Sequence, residues 1–153
     1  MPSNYNKQFL AAYIDLSSSF IKAMDGLMQS VNHCKKITLK ENYTFEETEA
    51  YDALIIKLSR NSDLFFQQII KGYFKLKGEE VFTLIDRLNL LEKMRVWEDS
   101  SVLMQLKSFR NQSVHEYADI AFENLYAEAV VLSEALFNHV DQFFDHLKRE
   151  DIL

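Results

Sequence analysis

From residue 114 to residue 147 the chain places Val, Ala, Ala, Leu, Ala, Leu, Leu, Val, Phe and Leu at positions 114, 118, 121, 125, 129, 132, 136, 140, 143 and 147. Steps of three and four sustained over that length describe one apolar face of a long helix. Charged residues fill the other side, so the helix is expected to lie against a bundle with its acidic face in water. The whole chain has three Gly and one Pro, a scarcity of turn residues that disfavours an all-β fold and favours a few long helices.

The same spacing recurs upstream. Positions 9, 13, 16, 20, 24, 27, 31 and 34 mark a first helix over roughly residues 5–37. Gly26 inside it costs about 1 kcal/mol relative to Ala, and the serine run at 17–19 weakens the pattern. ITLKENYT then breaks the periodicity. Thr44 followed by Glu47 fits a capping box, opening a second helix whose face runs through Tyr51, Leu54, Leu58, Ser62, Phe65, Ile69 and Tyr73. It stops at KLKG, where basic residues and Gly78 suit a helix end. A shorter segment carries Leu84, Leu88 and Leu91 on one side; Glu98, Asp99 and Ser100 interrupt it, and a fourth begins with Val102, Leu106 and Phe109 in step. The expected fold is all-α: an up-and-down antiparallel bundle of four to five helices, three of them long and one broken. With 153 residues, 48% of them hydrophobic, residues 1–153 suffice for one domain with its own core.

Composition narrows the setting. Cys34 is the single cysteine, which excludes an internal disulfide and a thiolate-rich metal site and points to a reducing, cytoplasmic compartment. The N-terminal stretch lacks a basic region followed by an apolar run, and no uncharged apolar stretch approaches about 18 residues; no membrane segment is expected. Residues 1–110 carry 15 Lys and Arg against 14 Asp and Glu, whereas residues 111–153 carry 2 against 9. The final helix is therefore a poor surface for a nucleic-acid backbone, and any RNA contact must be local.

The stretch SFRNQSVHEYAD, residues 108–119, gathers Arg110, Asn111, His115 and Tyr117. Arg110 and His115 are about 140° apart on an unbroken helix, and they converge only if the chain bends between them. Asn111, Gln112 and Ser113 are weak helix formers, so the composition permits that bend. Convergence would suit phosphodiester chemistry: a histidine with an ordinary pKa of about 6.5 moves a proton in neutral water, an arginine neutralises charge growing on phosphoryl oxygens, and Asn111 orients either one. The set needs no metal or cofactor, and no His and carboxylate spacing forms a metal site. From these residues alone a structural reading stays open, with Arg110 and Asn111 bonding terminal carbonyls and His115 a half-buried polar residue.

RNQSVHEY resembles the RNxxxH motif of the HEPN domain superfamily, and its extension through Glu116 and Tyr117 is similar to the RNxxxHxY form of the HepT toxins, encoded beside small nucleotidyltransferases of the MNT type. The helical order around it is similar too. The resemblance implies a metal-independent endoribonuclease toxin acting as a homodimer on RNA, with both motifs at a shared cleft. His115 would activate the ribose 2′-hydroxyl or protonate the leaving oxygen, and Arg110 and Asn111 would complete the catalytic set. Cleavage would leave a 2′,3′-cyclic phosphate and spare DNA, which lacks that hydroxyl. Tyr117 matches the tyrosine that receives adenylyl groups from the transferase, a modification that adds negative charge beside the RNA site; otherwise it is an amphipathic boundary residue. The rival functional reading is a noncatalytic HEPN-type helical module that binds or regulates a nucleotidyltransferase, which the acidic final helix favours.

Elsewhere, His33 and Cys34 read as structural, and His139 and His146 as solvated or interfacial residues on one side of the last helix. Arg60 and Asn61 repeat the RN pair without its histidine and suit a cleft wall. Trp97 reads as the anchor of a helix corner or of a subunit contact rather than a platform for a base.

Overall fold

The structure, a computed structural model, describes residues 6–115 and 122–153, apart from the side chains of residues 114, 115, 122 and 123. Its described part is all-helical. Helix α1, Lys7–Cys34, starts where the Asn6 side-chain oxygen accepts from the backbone N–H of Gln8 and Phe9, which satisfies two of the donors a helix start leaves bare. It is shorter at both ends than the apolar pattern predicts, and it runs unbroken through the serines: Ser17 is buried while Ser18 and Ser19 face outward. Helix α2, Phe45–Leu64, opens with the expected capping box, Glu47 N–H donating to Thr44 Oγ1 at 3.2 Å and Thr44 N–H to Glu47 Oε1 at 2.9 Å.

Beyond α2 the chain widens into a π-helical turn, Phe65–Ile70, before α3, Lys71–Leu76. The widened turn, which the periodicity does not betray, meets α1 at Tyr13, whose hydroxyl donates to the Ile69 carbonyl at 2.8 Å. Gly78, at φ +72°, closes the segment with the Glu79 N–H on the Phe74 carbonyl at 2.9 Å, a backbone conformation that favours glycine. The short α4, Leu84–Lys93, is capped by Thr83. The Glu92 carboxylate then receives the backbone N–H and hydroxyl of Ser100, tying the end of α4 to the start of α5, Ser101–His115. Helix α6, Phe122–Arg149, completes the chain.

Pairings between helices set their directions. Asn61 Nδ2 donates to the Ala23 carbonyl, Lys57 to Ser30 and Tyr51 to the Cys34 carbonyl, so α1 and α2 run antiparallel. Tyr51 stacks on Tyr126, Phe65 meets Phe143 and Tyr73 meets His146, so α2–α3 and α6 run parallel. With α5 rising between them, the result is the expected up-and-down bundle, α4 forming a short corner. Every position of the predicted α2–α3 face, Tyr51 to Tyr73, is buried, as are Leu125, Ala129, Leu132, Leu136, Val140, Phe143 and Leu147 on α6. Among the described residues no helix is long and apolar enough to cross a membrane.

Two glycines of this scaffold are expected to respond oppositely to the same change. A Cβ at Gly26 meets nothing within 4 Å, so Gly26→Ala removes a helix-interior glycine freely and raises stability by about 1 kcal/mol. At Gly72 the added carbon would stand 2.9 Å from Cε2 of Tyr13, a ring fixed by burial and by its bond to Ile69. Displacing it costs about 1–3 kcal/mol, more than the helix gains, so Gly72→Ala lowers stability. Urea unfolding midpoints of the two variants check both signs.

Candidate functional site

Helix α5 is continuous from Ser101 to His115. The bend that Asn111, Gln112 and Ser113 would permit is therefore not present. Ser113 turns its hydroxyl back onto the Arg110 carbonyl at 3.0 Å, one of the local bonds by which serine accommodates itself to a helix. Positions 110 and 115 thus stand about 140° apart around one axis, whereas position 115 lies one turn beyond Asn111. The side chain of His115 and all of Tyr117 lie outside the described residues.

Arg110 leaves α5 toward α2. Its Nη2 stands 3.1 Å from Asp63 Oδ2, and its Nη1 donates to Asn111 Oδ1 at 3.3 Å. Both charged partners are 46% exposed, so water screens the pair and its net contribution to stability is at most about 1 kcal/mol. The pair stands at the rim of a groove between α2 and α5, about 510 Å³ in volume, with Ile55 and Ile56 among its apolar lining and Ser113 at its α5 side. Arg60 lines the same groove. Asn61 turns the other way: it is fully buried, bonded to the Ala23 carbonyl of α1, and takes no part in the groove.

Asp63 is the member of this group that sequence reasoning does not reach. It stands three residues after Arg60 in SRNSD, and nothing in local periodicity links it to Arg110. What the arrangement can do chemically follows from its donors: the guanidinium holds a carboxylate oxygen, and its planar fork is equally suited to the oxygens of a phosphate.

Four other singled-out residues, Cys34, Trp97, His139 and His146, are buried. Cys34 is fully buried, its thiol pushed up to about 11 chiefly by desolvation, with Lys57 acting the other way; a thiol so protonated is a poor nucleophile. Trp97 is buried at the α4–α5 corner against Phe65, His139 and Phe143, as a corner anchor should be. His139 and His146 depart from expectation: each is only 8% exposed. His139 places its two ring nitrogens 2.9 Å from the carbonyls of Ala135 and Asp99, fastening α6 to the start of α5. His146 Nε2 lies 3.0 Å from the oxygen of the Tyr73 hydroxyl, whose proton is donated to Glu150 at 2.9 Å. A strict polar outer face for α6 fails here because the α3 end of the bundle brings its own polar groups inward.

Burial is the main influence on His146 and holds its pKa below the ordinary histidine value; Arg149 and Lys77 act the same way and Glu150 opposes them. The unfolded chain therefore takes up this proton first. The stability contributed by neutral His146 is fully present above about pH 6.5 and is lost as pH falls from there toward its depressed folded pKa. Melting temperatures between pH 7.5 and pH 5.5 are expected to fall more steeply for the parent protein than for His146→Gln.

Among the described residues no three or more His, Cys, Asp or Glu side chains are grouped to hold a metal ion. Comparison with protein-family models, with curated proteins and with solved structures finds no match to this chain.

Proposed function

We propose that the chain is a metal-independent endoribonuclease of the HepT type, acting as a homodimer and neutralised by an MNT-type nucleotidyltransferase. The observation that carries the reading is the pose of Arg110, an accessible guanidinium beside Asn111 that already holds an anionic oxygen at 3.1 Å. In the proposed reaction the ribose 2′-oxygen attacks phosphorus and the P–O5′ bond breaks, giving a 2′,3′-cyclic phosphate and a 5′-hydroxyl. His115 takes the 2′-proton or protonates the departing oxygen, and Arg110 carries the charge that grows on the phosphoryl oxygens. Because one unbroken helix directs positions 110 and 115 to different sides, the reading requires a second copy whose motif completes the cleft. Adenylylation of Tyr117 by the transferase would then add negative charge next to that cleft and oppose RNA.

The test is incubation of the purified protein with mixed cellular RNA and with DNA of matched sequence, chelator present, followed by analysis of product ends. RNA cut to 2′,3′-cyclic phosphate ends, with DNA intact, is the expected result. A second reading, a noncatalytic helical module that binds the transferase, draws on the fact that Arg110 is paired within the chain and separated from position 115 by the helix geometry. It is distinguished by uncut RNA together with transferase binding that survives loss of Arg110 and His115.

A further inference from the structure

The ion pair at the groove has a consequence for how the groove accepts a ligand. Asp63 approaches Arg110 through one oxygen, 3.1 Å from Nη2, while Nη1 is turned to Asn111. A single, half-exposed contact is readily exchanged, whereas a phosphate can offer the same guanidinium two oxygens in its plane. Arg60 stands one turn before Asp63 on α2, lines the same groove, is exposed, and makes no ion pair among the described residues. That spacing lets the Asp63 carboxylate, once released, pair with a neighbour three residues away. The carboxylate therefore does not have to be left without a cation when Arg110 departs.

We propose that Asp63 is an internal stand-in for the RNA phosphate: its carboxylate stands against the Arg110 guanidinium in the free protein and is displaced when a phosphodiester enters the α2–α5 groove. The inference deepens the ribonuclease reading in making Arg110 the phosphate ligand, and it rests on that reading for the identity of the ligand. Asp63 in this role is a positioning residue that governs how much of Arg110 is free to bind. Competition of this kind lowers affinity for RNA in the resting protein, which suits an enzyme whose action on cellular RNA must be restrained.

The experiment uses the full chain and a single-stranded 2′-O-methyl RNA oligonucleotide, which lacks a free 2′-hydroxyl and cannot be cut by this route. Its binding is followed by fluorescence anisotropy across a salt series, for the parent, Asp63→Asn, Arg110→Ala and the double variant. Since the pair is half-exposed, freeing Arg110 is expected to tighten binding about fivefold and to steepen the log–log salt dependence by about 0.7, one phosphate contact on a single strand. The gain should vanish in the Arg110→Ala background, where no guanidinium is left to free. Asp63→Ser is expected to match Asp63→Asn, which separates loss of the carboxylate from any effect of the amide.

Binding by Asp63→Asn within twofold of the parent overturns the proposal. So does an equal gain in the Arg110→Ala background, which would reduce Asp63 to a nearby negative charge, and so does absence of RNA binding by parent and variant alike. Cleavage of ordinary RNA by the parent is read separately. The binding pattern without cleavage refutes the ribonuclease reading and leaves the exchange at Arg110 standing; Arg110-dependent cleavage without the binding pattern does the reverse.

Discussion

On the proposed ribonuclease reading, Arg110→Ala and His115→Ala are each expected to remove metal-independent RNA cleavage while leaving the bundle folded. For the histidine the loss is that of a positioned proton-transfer group, about 10²–10⁴ in rate; for the arginine it is that of a fixed donor to developing negative charge, about 10²–10³. Arg110→Lys should recover only part of the activity, because an ammonium keeps the charge and loses the planar fork. The comparison is clean for Arg110 because its ion pair with Asp63 is 46% exposed at both ends and contributes little to folding. Single-turnover rates on a defined RNA, beside melting temperatures of the same samples, make the check. Activity in both alanine variants equal to that of the parent would remove these residues from the reaction.

Phe65→Ala is expected to be the most damaging single core truncation, at about 3–5 kcal/mol. Phe65 is fully buried at the first position of the π-helical turn. Its ring stacks on Phe20 of α1 at 5.8 Å, meets Phe143 of α6 edge-on at 5.7 Å and lies 6.5 Å from Trp97 at the α4–α5 corner. One side chain thus touches three other parts of the bundle, and its removal leaves a cavity that a backbone already widened locally is poorly placed to close. Against a typical total stability of about 5–15 kcal/mol, the loss should lower the melting temperature by roughly 10 °C for a chain of this size. Phe82, 81% exposed, is the control: Phe82→Ala should stay within about 0.5 kcal/mol of the parent. A cost below about 1.5 kcal/mol for Phe65→Ala, the lower range of buried-ring loss, would mean that the core does not depend on this ring.

The helical faces were legible in the sequence because helix periodicity is a local property. Buried positions every three or four residues describe α1, α2–α3 and α6, and all seven predicted positions of the α2–α3 face are buried. The Thr44 and Glu47 capping box was equally legible, being complete within four residues. The π-helical turn was not, since its apolar residues still fall inside and only hydrogen-bond geometry distinguishes it. The continuity of α5 through 111–113 was not legible either: weak helix formers there permit a bend without requiring one, and the helix runs on to His115.

The candidate site divides along the same line. Arg110, Asn111, His115 and Tyr117 could be singled out from their types and spacing, and Arg60 from its repeated RN pair. Asp63 could not, because its link to Arg110 is a distance between two helices. His139 and His146 were placed on one side of α6 by spacing, yet their burial depends on the carbonyl of Asp99 and on Tyr73, groups that arrive from other parts of the fold. An all-helical chain, the inward faces of its long helices and a short cluster of candidate chemical groups can be read from local spacing, since all of these are set by neighbours within a turn or two. Which groups meet is a matter of packing: the arginine beside Asp63, the histidines buried between helices and the Phe65 ring set against Phe20, Trp97 and Phe143 depend on helix direction and separation, which no local spacing encodes.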